Sequence, residues 1–216
     1  MLLKNFNPHL KRQSILIAVL VIFYSVGIVG ASIPLYRDSF LSLSSWNLLL
    51  SFVVAFIALE EKTLNIHLFI IGCYFISMFA EWIGTSTGIL FGNYWYGNNL
   101  GPKFFGVPLI IGVNWWLLLA GSHAISSFIK IKGFLKALIS AGLMTLMDVL
   151  IEPVAIKSDF WHWENNTIPL YNYFCWFIIA LFLHLILQRV DKEKPNKVHA
   201  ILFLIMALFF IVLNLY

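Results

Sequence analysis

The sequence predicts an all-α fold, a polytopic membrane bundle of about seven transmembrane helices forming one domain over residues 1–216. Three observations predict it. Hydrophobic residues make up 61% of the chain and mean hydropathy is +0.88. Only 11% of residues are charged, 14 Lys and Arg against 10 Asp and Glu, whereas soluble domains run to about a quarter. Apolar windows near the ~20 residues needed to cross the hydrocarbon core recur seven times. This composition excludes a soluble domain, a disordered tail and a nucleic-acid-binding surface.

The first window, 14–33, follows a basic segment (Lys4, Lys11, Arg12) and ends near Gly30-Ala31-Ser32. That pattern resembles a signal peptide, but the apolar stretch exceeds the roughly 7–15 residues of an h-region. It is read as a retained first span. The second window is 43–59. The third, 66–90, carries Glu81 with no other charge between His67 and Lys103. The small polar run Gly84-Thr85-Ser86-Thr87-Gly88 after it suggests close helix packing or a local break. The fourth window is 107–129, with Asn114 and His123. The fifth, 133–152, carries Asp148 and Glu152 and is expected to end before Pro153. The sixth, 169–188, carries Asn172 and Trp176, and the seventh is 198–216. Cys73 and Cys175 fall in apolar runs without paired spacing and read as packing residues.

Lys and Arg alternate by loop. Eleven of the 14 fall in the N-terminal, 60–65, 130–136 and 189–197 segments, and Arg37, Lys103 and Lys157 fall on the other side. The positive-inside rule then puts the N-terminus in the cytoplasm and the C-terminus outside. The expected location is the cytoplasmic (inner) membrane. The two longest loops, 91–106 and 153–168, share the non-cytoplasmic side. Both are rich in aromatics, which form either an interfacial belt or a lid over a pocket.

Seven of the ten acids lie in loops or at helix edges: Asp38, Glu60, Glu61, Asp159, Glu164, Asp191 and Glu193. Glu81, Asp148 and Glu152 remain inside spans, where an ionisable group costs roughly 2.5–3.5 kcal/mol and marks function by default. The bland readings are a core carboxyl with no duty for Glu81 and Asp148, and a solvated interfacial carboxyl for Glu152. The spacing of four puts Asp148 and Glu152 on one helix face, Asp148 one turn deeper. All three fall in the outer half of the membrane with Thr85, Thr87, Asn93, Asn114, His162 and Asn172. The inner-half His67, His123 and His184 show no comparable convergence in the sequence.

Burial and like charge both disfavour ionised carboxyls, so one such group can keep a proton at neutral pH and act as a general acid. An ionised partner stabilises a cation or activates water, and aromatic faces stabilise a cation through the ring quadrupole. This set suits proton addition to an isolated alkene. Water, an internal alkene or proton loss can then finish the reaction. The residues alone leave that choice open.

Two blocks carry a family resemblance. The first is Glu81-Trp-Ile-Gly-Thr-Ser-Thr-Gly88, then Phe91-Gly-Asn-Tyr-Trp-Tyr96, Leu100-Gly101 and Gly106-Val-Pro108. The second is Asp148-Val-Leu-Ile-Glu152-Pro153, then Trp161-His-Trp163, and Pro169 through Asn172 to Trp176. Over about 75–180 the chain resembles the integral-membrane carotenoid biosynthesis family, of the carotenoid 1,2-hydratase type (the gamma-carotene and bisanhydrobacterioruberin hydratases). Two positions depart from the pattern: Glu152 where Asp precedes the proline, and Cys175 where Gly precedes Trp176. The resemblance implies a hydro-lyase that adds water across the terminal 1,2 double bond of an acyclic end group, giving a tertiary alcohol. It implies Glu81, Asp148 and Glu152 as catalytic residues. Substrate-binding residues would be Thr85, Thr87, Asn93, Tyr94, Tyr96, Asn114, Trp161, His162, Trp163, Asn172 and Trp176. No cofactor and no metal are expected. The expected partners are a lipid-soluble carotenoid, the membrane and other enzymes of the pathway, with no nucleic acid.

Rival readings remain at this point. A membrane carotenoid cyclase uses the same acid-generated cation. A proton-coupled transporter would use the carboxyls as a relay. A prenyltransferase would want a second acidic motif and basic groups for diphosphate. A retinal protein would want a Lys inside the last span, and none follows Lys197.

Overall fold

The computed structural model describes residues 8–60, 62–191 and 195–216. Lys4, Glu61, Lys192, Glu193 and Lys194, which entered the charge reading, lie outside the described residues. Helix α1 spans Pro8–Ser32 and a short α2 spans Arg37–Leu41. Then come α3 (Ser44–Ala58), α4 (Leu64–Thr87), β1 (Tyr94–Tyr96), β2 (Lys103–Phe104) and β3 (Val107–Pro108). Helices α5 (Ile110–Phe128) and α6 (Gly133–Lys157) follow, then β4 (Trp161–Trp163), α7 (Leu170–Val190) and α8 (Lys197–Asn214). The fold is an all-α membrane bundle. Among the described residues, two small antiparallel ladders, β1 with β4 and β2 with β3, tie its loops together.

Among the described residues, six helical stretches are long and apolar enough to cross a membrane: Pro8–Ser32, Arg37–Ala58, Leu64–Thr87, Gly133–Lys157, Leu170–Val190 and Lys197–Asn214. The fourth expected span, α5, falls outside that set for a structural reason. It packs against α3, α4, α6, α7 and α8, and thirteen of its nineteen residues are buried. A helix sheltered from lipid by its neighbours can carry Asn114, Ser122, His123 and Ser126, which lower its mean hydropathy.

Helix ends follow local chemistry. Thr63 Oγ1 accepts from the Ile66 N–H at 3.4 Å at the start of α4. Asn196 Oδ1 accepts from the Val198 and His199 N–H groups at 3.0 and 3.2 Å. Its Nδ2 donates to the Ala58 carbonyl at 2.9 Å, so one side chain caps α8 and ties it to the end of α3. Gly88 ends α4 at φ 66°, the left-handed cap conformation that glycine adopts without a Cβ penalty.

Two expectations are corrected. The fifth span was expected to stop before Pro153, but α6 runs through it to Lys157. Proline removes one N–H and crowds the carbonyl four residues back. Here the ring is on the exposed side of the helix, and Asn214 Nδ2 donates to the Leu150 carbonyl beside it at 2.8 Å. Glu152 is therefore inside a helix and 1% exposed rather than solvated at its end. Two of the three inner-half histidines also converge, whereas His67 stays local with Nδ1 2.7 Å from the Thr63 carbonyl. The His123 and His184 rings stack at 5.9 Å. Ser122 Oγ lies 3.1 Å from His184 Nε2, and Lys136 Nζ donates to His123 Nε2 at 3.1 Å. The sequence hid this because the two histidines sit on different helices, 61 positions apart.

Gly84 takes the close-packing role anticipated for the Gly84–Gly88 run. A Cβ there would lie 2.7 Å from Phe91 Cδ2 and 2.9 Å from Tyr94 Oη. Both neighbours are buried and hemmed in. Gly84→Ala gains about 1 kcal/mol of helix propensity but overpacks at a cost of about 1–3 kcal/mol. The expected outcome is a lower melting temperature in detergent, together with reduced activity because Tyr94 is displaced.

Candidate active site

The site is built where one end of each of α4, α5, α6 and α7 meets the paired loops. β1 and β4 pair in register Tyr94↔Trp163, Trp95↔His162 and Tyr96↔Trp161. Side chains alternate across a strand. Tyr94, Tyr96, Trp161 and Trp163 therefore share the buried face, and Trp95 and His162 share the outer one. The rings on the buried face meet across the ladder, with Tyr94 and Trp163 5.0 Å apart and Tyr96 and Trp161 6.1 Å apart.

That face meets the three carboxyls. Glu81 Oε2 accepts from the hydroxyls of Tyr94 and of Tyr96, the latter at 2.7 Å, and its Oε1 accepts from Trp115 Nε1 at 2.9 Å. Burial first, and Glu81 second, push both phenols well above their usual range, so they remain donors at neutral pH. Glu152 Oε2 accepts from Trp161 Nε1 at 3.0 Å and Trp163 Nε1 at 2.7 Å. Asn172 Nδ2 bridges the second pair, donating to Asp148 Oδ2 at 2.9 Å and Glu152 Oε1 at 3.3 Å. Asp148 Oδ1 is buried and has no hydrogen-bond partner. It is the one oxygen of the six carried by these carboxyls without a donor. All three carboxyls are at most 3% exposed.

A cavity of about 20 Å³ lies among these groups, walled by Phe91, Trp115, Trp176 and Ile111 beside the polar residues already named. One water needs about 10–15 Å³ and polar partners. Trp115 and Trp176 stack face to face at 4.0 Å and 15°, and both border the cavity.

Residues 44–216 match the family described as carotenoid biosynthesis protein. The chain belongs to this family. Its role is in carotenoid biosynthesis, and the match covers every residue of the cavity. No curated protein and no solved structure matches the chain.

Of the residues expected at the site, Glu81, Asp148, Glu152, Tyr94, Tyr96, Asn114, Trp161, Trp163, Asn172 and Trp176 line this family member's cavity. Four do not. Thr85 and Thr87 bond back to their own helix, at the Glu81 carbonyl (3.0 Å) and the Ile83 carbonyl (2.6 Å). Asn93 donates to Glu164 Oε2 at 2.7 Å on the exposed side. His162 faces outward against Trp95 and Asp159. Sequence reasoning missed Trp115, Phe91 and Ile111. The signal for Trp115 was its place beside Asn114 in a span, where an indole N–H needs a partner.

Asp159 clamps the loops from outside. Its Oδ2 accepts from the Asn98 N–H at 2.9 Å and its Oδ1 pairs with His162 Nε2 at 2.7 Å. The Asn98 N–H, then His162, hold its carboxyl below the usual range. A depressed folded pKa means the clamp is present above the unfolded value of about 3.9 and fades as pH falls through the folded one. Asp159→Asn is expected to speed proteolysis of the 91–106 loop at pH 7. The wild-type loop should become comparably sensitive only in acid.

Proposed function

We propose that the protein is a carotenoid hydratase that adds water to the terminal double bond of an acyclic end group. The observation that carries this reading is the convergence of three buried carboxyls on one water-sized, aromatic-walled cavity, with Asp148 Oδ1 unpartnered. A carboxylate oxygen without a donor in an apolar site is costly, and a proton on Asp148 removes the charge. Asp148 is therefore the acid. The Trp161 and Trp163 N–H groups, which only donate, keep Glu152 Oε2 as an acceptor.

Asp148 transfers its proton to the alkene carbon that leaves the tertiary cation. The Trp115–Trp176 pair and the Glu81 carboxyl stabilise that cation, the aromatic contribution being about 2 kcal/mol in a dry site. Water held against Glu152 adds to the cation. The proton it releases returns to the Asp148–Glu152 pair, so the net change is one water added.

The test is co-expression in a bacterium that makes lycopene, with product mass as the readout. Gain of one water, about 18 mass units, is the expected result. A product of unchanged mass would replace hydration with cyclisation, and unchanged lycopene would sink both.

A further inference from the structure

Two more spaces lie at the same end of the bundle as the acid cavity, and the three run in series. The first, about 50 Å³, is walled by Tyr24, Leu48, Leu100, Phe160, Met206 and Phe210 among others, and shares Ile111, Asn114 and Trp161 with the acid cavity. The second, about 320 Å³, lies between α1, α2, α3 and α8 and shares Ser44, Asn47 and Phe209 with the first. Its outer walls, Phe23, Val26, Leu43 and Trp46, are exposed apolar side chains on helices long enough to span a membrane. They face where lipid would be.

We propose that this series is the path and berth of the substrate, a linear polyisoprenoid whose end group passes from the bilayer between α1 and α3, through the Ile111–Asn114–Trp161 neck, to the carboxyls. The substrate class rests on the reading above; the path rests on the shared walls. Volume alone does not single this groove out. Another groove of about 320 Å³, lined by Leu68, Gly72, Ile76 and Ile186, opens on the opposite half of the bundle. It shares no wall residue with the acid cavity. The series is narrow at its inner end and wide at its outer end. It therefore admits an acyclic chain end first, while the rest of the polyene stays in lipid. The neck is tied to the chemistry, because Trp161, one of its walls, is held by Glu152 at 3.0 Å.

The test fills each groove and reads occupancy. Gly27 lines the groove, and a Cβ there meets only Phe209 Cε2 at 3.4 Å, so Gly27→Phe adds a ring without a backbone clash. Val26→Phe fills the same groove from an exposed position that cannot disrupt the core. Gly72→Phe fills the other groove, where a Cβ meets nothing within 4 Å. Lycopene is titrated into each purified protein in detergent, and quenching of tryptophan fluorescence reports binding. Gly27→Phe and Val26→Phe should raise the lycopene Kd at least tenfold and raise KM with kcat within about twofold. Gly72→Phe should match wild type. Wild-type quenching in both groove variants overturns the path, as does an equal loss in Gly72→Phe. Absence of saturable quenching in wild type, the behaviour of a groove that takes phospholipid acyl chains, overturns it too. Quenching is read without product, so a wild-type chain that binds lycopene yet adds no water sinks the hydratase reading and leaves the path standing.

Discussion

Asp148→Asn is expected to reduce the proposed hydration by at least 10²- to 10⁴-fold, the range a positioned general acid contributes. The fold should remain. Asn has the same shape, and its carbonyl can take the Asn172 N–H now received by Asp148 Oδ2 at 2.9 Å. The change falls on Oδ1, the buried oxygen with no partner. An amide there has no acidic proton to give. Asp148→Glu should not rescue the wild-type rate, because the longer side chain overfills a cavity of about 20 Å³. The measurement is product formation in membranes beside a melting curve in detergent. Near-wild-type hydration by a folded Asp148→Asn protein would move the acid elsewhere, with Glu81 the next candidate.

How far the sequence spoke depends on what each feature asks of it. Spans are long and repetitive in composition, so six of the seven expected windows correspond to helices apolar enough to cross a membrane. The remaining window, the fourth, is α5, a helix whose polar residues face protein. The carboxyls were visible because a charge in a span is rare. Their partners were harder to see. Tyr94-x-Tyr96 and Trp161-x-Trp163 each have the spacing of two that a strand turns into one face. Three residues are too few to announce a strand, and the partner lies 67 positions away. Pairing is what turns an aromatic belt into donors for Glu81 and Glu152. The same alternation puts His162 outside, although it sits between two cavity tryptophans. Thr85 and Thr87 were grouped with the site because they lie in the same half as Glu81. A hydroxyl in a helix readily bonds the carbonyl four residues back, and both do. The end of the bundle that a residue occupies was legible from the sequence, whereas direction around a helix axis was not.

Glu81→Gln and Glu81→Ala should separate charge from structure at the other carboxyl. In wild type, three buried donors converge on Glu81: the Tyr94 and Tyr96 hydroxyls and the Trp115 N–H. Gln satisfies Trp115 and keeps contact with both phenols, but their O–H groups must turn elsewhere, as Tyr94 can to the Glu81 main-chain carbonyl at 3.4 Å. Its carbonyl takes the Trp115 N–H, which can only donate, and its NH₂ faces two phenols whose oxygens also accept. Stability should fall by about 1–3 kcal/mol, the cost of one displaced donor, and less than in Glu81→Ala. Activity should fall about 10²- to 10³-fold, as when one preorganised electrostatic group is removed from a dry site. Ala removes every acceptor. Each orphaned donor costs about 1–3 kcal/mol, and the β1–β4 ladder loses the anchor that holds Tyr94 and Tyr96 inward. Glu81→Ala should therefore lower the melting temperature sharply and expose the 91–106 loop to protease, which Glu81→Gln should not. If Glu81→Gln instead keeps full activity, the carboxyl serves only as an acceptor that seats the aromatic wall, and cation stabilisation rests on the Trp115–Trp176 pair alone.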